Sequence, residues 1–179
     1  MYVAEADIAE RLTRLFDGGG NPIGWKLVTR DDETELYDVN GRLTSVTTRS
    51  GLHHSLVYDG NGRLQTVTDD FGRQLVFTYS NDNFRRVATI TNPAGGIYQF
   101  AYDTDENLTS VTYPDTKQRI YSYDAQSKLL WVKDEASVQF APFAYDPSTQ
   151  RVTSTEHAGG VDRYTISYSG LQRPSPTRC

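Results

Sequence analysis

An 11-residue pattern recurs almost end to end, and nothing constrains the fold of this chain more. Its clearest copy is Tyr58-Asp59-Gly60-Asn61-Gly62-Arg63-Leu64-Gln65-Thr66-Val67-Thr68. Just upstream, Tyr37-Asp38-Val39-Asn40-Gly41-Arg42-Leu43-Thr44-Ser45-Val46-Thr47 repeats it with the same spacing. Looser copies begin at Tyr79, Tyr102, Tyr123, Tyr145 and Tyr168, so successive anchors lie 21, 21, 23, 21, 22 and 23 residues apart. A unit this small cannot bury its own apolar face and must stack on its neighbours.

Each repeat reads as two strands and two turns. In one copy, Arg63 to Thr68 is a strand, Asp69-Asp70-Phe71-Gly72 a turn, and Gln74 to Tyr79 the returning strand. The residue after the anchor is Asp38, Asp59, Asp103, Asp124 or Asp146, with Ser80 and Ser169 in the other two copies. Such side chains accept from backbone N–H groups two positions on. Gly41 and Gly62 stand where a residue with positive φ would re-aim the chain. The second turn carries its own breakers: Ser50-Gly51, Asn92-Pro93-Ala94-Gly95-Gly96, Tyr113-Pro114-Asp115 and Ala158-Gly159-Gly160. Short turns on both sides force antiparallel neighbours, because a parallel return needs a crossover of about a dozen residues.

Alternation assigns the faces. Phe77 and Leu75, Phe100 and Tyr98, Tyr121 and Arg119, Phe143 and Ala141, and Ile166 and Tyr164 fall on the anchor side, which is large and mostly apolar. The residues one before each anchor (Val57, Thr78, Ala101, Ser122, Ala144, Ser167) make the other side small. Leu64 and Val67, like Leu43 and Val46 or Leu108 and Val111, are three apart and would face opposite sides of a flat strand. A bulge, or a strand buried on both faces, reconciles them. As a core aromatic, Tyr102 changed to Ala is expected to cost about 3–5 kcal/mol.

The expected organisation is a β-rich lead-in over 1–36, the repeat array over 37–170 and an irregular tail over 171–179. In the lead-in, Ile8, Leu12, Leu15 and Phe16 have helical spacing, yet Leu12 to Phe16 reads equally as a strand, and both readings stay open. Asp17-Gly18-Gly19-Gly20-Asn21-Pro22 is a turn, and Gly24 to Thr29 alternates like a strand. With 37% hydrophobic residues the 179-residue chain can bury a core. Its net charge of −5 gives no support for a nucleic-acid partner. The first residues lack the basic and apolar regions of a cleavable signal, and no run approaches the roughly 18 apolar residues that span a bilayer. The single cysteine, Cys179, cannot form an intrachain disulfide.

Catalytic and metal constellations are not legible. His53 and His54 are adjacent and point to opposite faces of a strand, so they cannot converge on one ion. Asp103-Thr104-Asp105-Glu106-Asn107 has alternate oxygen ligands but lacks the glycine and distal glutamate of a calcium loop. Asp31-Asp32 and Asp69-Asp70 sit where turns place exposed Asp. No nucleophile elbow, P-loop or dinucleotide fingerprint occurs, so neither a catalytic residue nor a cofactor is nominated. Trp25 and Trp131, with Tyr113 and Phe71, lie outside the anchor column and are candidates for stacking on glycans.

At these residues the chain resembles the Rhs/YD-repeat family, whose repeat runs Tyr-Asp-x-x-Gly-Arg-Leu-x-x-Val. The match is close at 37–47 and 58–68, clear at 102–111 and looser at 79–90, 123–132 and 145–155. The resemblance implies an all-β fold: an extended, curved antiparallel sheet of consecutive repeat hairpins. In full-length members it winds into a shell around a C-terminal toxin, as in bacterial toxin-complex proteins and animal teneurins, and relatives are exported to the cell surface or delivered into target cells. The chain departs from the family after Tyr168, where another Gly-Arg-Leu strand is expected and the tail from Leu171 abandons the repeat. The Asp-Pro-x-Gly-Leu motif linked to toxin release is not matched, since Asp146-Pro147 is followed by Ser148-Thr149.

About 14 strands at about 4.8 Å spacing give a strip roughly 65 Å wide, against roughly 140 Å of wall around a 100-residue cargo. The expected protein is therefore a non-enzymatic structural module, a truncated piece of shell too short to enclose cargo. Its expected partners are further copies at exposed sheet edges and the rest of the shell with its toxin. The alternative is a carbohydrate-binding repeat module at the cell surface.

Overall fold

A computed structural model describes residues 10–81 and 85–168. The helical reading at Ile8, the Ser169 turn, and the tail with Cys179 lie outside the described residues. Backbone packing divides the chain into two compact units, Met1–Tyr98 and Gln99–Cys179. The first contains β1 (Arg11–Phe16), β2 (Pro22–Val28), β3 (Thr34–Tyr37), β4 (Leu43–Thr47), β5 (His53–Tyr58), β6 (Leu64–Asp69), β7 (Gln74–Tyr79) and β8 (Val87–Thr91). The boundary falls inside β9 (Ile97–Tyr102). The second unit continues with β10 (Leu108–Thr112), β11 (Gln118–Tyr123), β12 (Leu129–Lys133), β13 (Gln139–Tyr145), β14 (Val152–His157) and β15 (Val161–Thr165). A 3-10 turn, Ala158–Gly160, joins the last two. Strand order in the open, antiparallel sheet follows the sequence from β1 to β15, as short turns on both sides demand.

The three-residue spacing of Leu and Val is resolved by a bulge. Tyr58 lies opposite Leu64 while Val57 lies opposite Thr66, which leaves Gln65 unopposed. The same slip leaves Thr44, Ala88, Thr109, Leu130 and Thr153 unopposed beside the other anchors. Leu64 and Val67 consequently share the face of Tyr58, since directly opposed residues point the same way.

Neither unit has the interior that the sequence reading assumes for the anchors. Among the described residues the buried hydrophobic side chains are Val111 and Val132, and no large side chain is fully enclosed. Tyr102 is half-buried, as are Tyr37, Tyr58, Tyr79, Tyr123 and Tyr145, whereas Tyr168 is exposed. A single sheet layer covers its apolar face only with side chains lying along that face. Loss of an anchor ring should therefore cost about 2 kcal/mol, less than the full-core figure.

Candidate functional site: the inter-repeat ladder

The local unit is one turn used again and again. Asp38 N–H donates to the Arg42 carbonyl and Gly41 N–H donates back to the Asp38 carbonyl. Turns opened by Asp17, Thr29, Thr48, Asp59, Asp69, Asn92, Asp103, Tyr113, Asp124 and Asp134 repeat both bonds, and Asp146 opens a longer variant. First and second turns of a repeat are thus the same structure, although their sequences differ. The fourth residue is left-handed: φ is 79° at Gly41 and 74° at Gly62, but Glu106, Thr116, Ser127 and Ser137 adopt 60–70° without being glycine.

The anchor-following Asp holds this turn. Asp59 Oδ1 accepts from the N–H groups of Asn61 and Arg63, each at 2.9 Å, and its Oδ2 meets Arg63 Nε at 2.7 Å. Asp38 does the same with Asn40 and Arg42, Asp103 with Asp105 and Asn107, and Asp124 with Gln126 and Lys128. Asp146 accepts from Ser148 and Thr149. The Arg63 amide holds the Asp59 carboxyl below its ordinary range, and the Arg42 amide does so for Asp38. The Ser148 hydroxyl, with Thr149, brings Asp146 down to about 2.

The paired cation then reaches the next repeat. Arg42 stands over the Tyr58 ring at 5.3 Å, Arg63 over Tyr79 at 4.6 Å, Lys128 over Tyr145 at 5.4 Å and Arg151 over Tyr168 at 4.9 Å. The ring answers with its hydroxyl. Tyr58 donates to the Leu43 carbonyl at 2.8 Å, Tyr79 to Leu64 at 2.7 Å and Tyr145 to Leu129 at 2.8 Å. Asp fixes the turn and its Arg, Arg covers the next Tyr, and that Tyr caps the Leu carbonyl beside the same Arg. Burial raises the Tyr79, Tyr123 and Tyr145 hydroxyls above their ordinary pKa. Tyr37 departs from the ladder: its hydroxyl donates to Glu35, a bond that pushes it up to about 12.

An eighth copy had been read only as lead-in. Phe16-Asp17 stands 21 residues before Tyr37, and Asp17 takes the N–H groups of Gly19 and Asn21. Phe16 opposite Pro22 leaves Ile23 unopposed, the bulge of the other copies. Phe for Tyr and Asn-Pro for Arg-Leu hid it; the 21-residue spacing was the signal available.

The other nominated residues do not converge. Trp25 lies opposite Tyr37, on the anchor face of the first unit, with the Arg14 guanidinium 5.3 Å above it. Trp131 lies opposite Ser122, on the small-residue face of the second unit, with Lys133 Nζ at 5.1 Å. Trp25 borders a shallow depression of about 330 Å3 with Leu12, Leu27, Tyr37 and Gly41. Apart from the Tyr37 hydroxyl, already given to Glu35, its side chains offer a sugar no polar group. His53 lies opposite Thr47 and His54 opposite Val46, so the two face opposite sides. Among the described residues no three His, Cys, Asp or Glu groups are placed to hold a metal ion. A polar cluster missed in the sequence sits on the second unit's anchor face, where Arg119 pairs with Glu135 at 3.0 Å and Glu135 also accepts from Tyr113.

A profile of the Teneurin YD-shell family matches residues 2–150. Among solved structures, a crystal structure of TcdB2-TccC3-Cdc42 superposes with a TM-score of 0.58 at 16% identity, covering 89% of this chain and 10% of that one. The Photorhabdus luminescens Tc holotoxin pore, with a substituted TccC3, gives 0.57 at 16% identity over 86% of this chain and 9% of that one. At such identity the likeness establishes the fold alone. The chain spans about a tenth of the length of these two. No curated protein matches it in sequence.

Proposed function

The chain belongs to the Teneurin YD-shell family, and from that premise we propose that it is a non-enzymatic wall segment of a larger β-repeat shell. The ladder is the observation that carries this reading: Asp, Arg and Tyr, the most recurrent polar residues of the repeat, bind their own turn and the adjoining repeat. That use leaves them without a free catalytic group and makes addition of repeats the natural way to enlarge the structure. A wall of roughly 140 Å around a 100-residue cargo takes about 29 strands at about 4.8 Å each. The described residues supply 15, so containment of a toxin is a property of the longer protein.

Protection of cargo tests this. A reporter domain fused behind the segment alone should be cleaved by protease as fast as the free reporter. Inside the full-length repeat protein the reporter should be protected, and deletion of the residues of this segment should expose it. Protection that survives the deletion would overturn the wall reading.

A further inference from the structure

We propose that β1 is a self-pairing edge, at which two copies of this chain join β1 to β1 antiparallel about a two-fold axis through Leu12. The inference does not depend on the wall reading. Strand β1 ends the strand order, and an unpaired edge is a template for another strand. Asp17 N–H donates inward to the Asn21 carbonyl. Amide direction alternates along a strand, so Leu12, Arg14 and Phe16 aim their N–H and C=O groups away from β2, at the open edge. Their side chains share the anchor face, where Leu12 is 63% and Phe16 54% exposed.

Charge selects the register. With Arg14 on the axis, two guanidinium groups meet. With Thr13 on the axis, Arg14 faces Leu12, and Glu10 faces Phe16. With Leu12 on the axis, leucine meets leucine and Glu10 faces Arg14 of the second copy, once on each side. Directly opposed side chains stand about 4.5–5.5 Å apart at Cβ, within reach of an ion pair. Arg14 is already held on that face, 5.3 Å over Trp25 and 5.5 Å over Phe16. The anchor chemistry favours a second copy over another repeat: Tyr58, Tyr79 and Tyr145 each give a hydroxyl to a leucine carbonyl of the preceding strand, and Phe16 has none to give. Pairing also sets the two apolar depressions beside Leu12 next to each other.

Cysteine trapping in a Cys179→Ser background tests register as well as association. Under mild oxidation, Leu12→Cys should give a covalent dimer. Thr13→Cys should not, because in this register Thr13 faces Arg11 and the two substituted positions lie beyond the reach of a disulfide, about 7 Å between Cα atoms. Adding Glu10→Arg to the Leu12→Cys protein should cut the dimer yield, and adding Arg14→Glu as well should restore it. Circular dichroism matching the parent confirms that each variant is folded. Equal yields from the two cysteine positions, no covalent dimer at residue 12, or failure of the charge swap to restore it would each overturn the proposal.

Discussion

At the residue scale, conformational cost is concentrated in the left-handed fourth position of the turns. Thr116 holds φ 70°, which a β-branched residue adopts poorly. Thr116→Gly is expected to stabilise the protein by about 1 kcal/mol in denaturant unfolding. Gly24 is the opposite case. Its φ is 153°, and a Cβ there would stand 2.0 Å from the Tyr37 carbonyl oxygen, a backbone atom that cannot swing aside. Gly24→Ala should cost more than about 2 kcal/mol, whereas Gly41→Ala, with open space around it, should cost about 1. The turn carboxylates set a pH dependence. Asp38, Asp59 and Asp146 have folded pKa values below the ordinary value of 3.8, so the folded state favours their charged form. Their contribution is complete above the ordinary value and is lost as pH falls through the lowered ones, to about 2 for Asp146. The thermal midpoint followed by circular dichroism should drop from pH 4 to pH 2; a midpoint that is flat or rises would contradict the assigned bonds.

At the scale of the element, the repeat is a hairpin whose rungs couple it to the next. Tyr79→Phe removes only the bond to the Leu64 carbonyl and is expected to cost about 0.5–1.5 kcal/mol. A double-mutant cycle between Arg63 and Tyr79 should give a coupling of about 0.5–1 kcal/mol, because ring and guanidinium face each other at 4.6 Å. Additivity would mean that the contact contributes nothing. Much of the hairpin is legible in sequence because its causes are local: an Asp that caps N–H groups two and four residues on, a residue that accepts positive φ, and a Leu-to-Val spacing that only a bulge places on one face. The identity of the two turns is not legible, since Thr48, Asn92 and Tyr113 open the same backbone loop as Asp59. Which ring an Arg covers is set by strand pairing, and single-sequence patterns do not carry that information. Phe16 escaped for the simplest reason, as the search was for tyrosine.

At the scale of the whole molecule, stability should be distributed rather than central. Few side chains are buried, and the named contacts join strands adjacent in sequence. Alternation alone identifies the apolar face but not how deeply it is covered, which is why the anchors read as core residues and prove half-buried. A wall held by neighbour contacts loses protection locally when one rung is removed, whereas a domain with one core loses it everywhere. Hydrogen–deuterium exchange on Tyr79→Ala compares the two most directly. Faster exchange confined to β6, β7 and β8, with β11 to β13 protected as in the parent chain, is the expected result; a uniform rise across all strands would contradict the account.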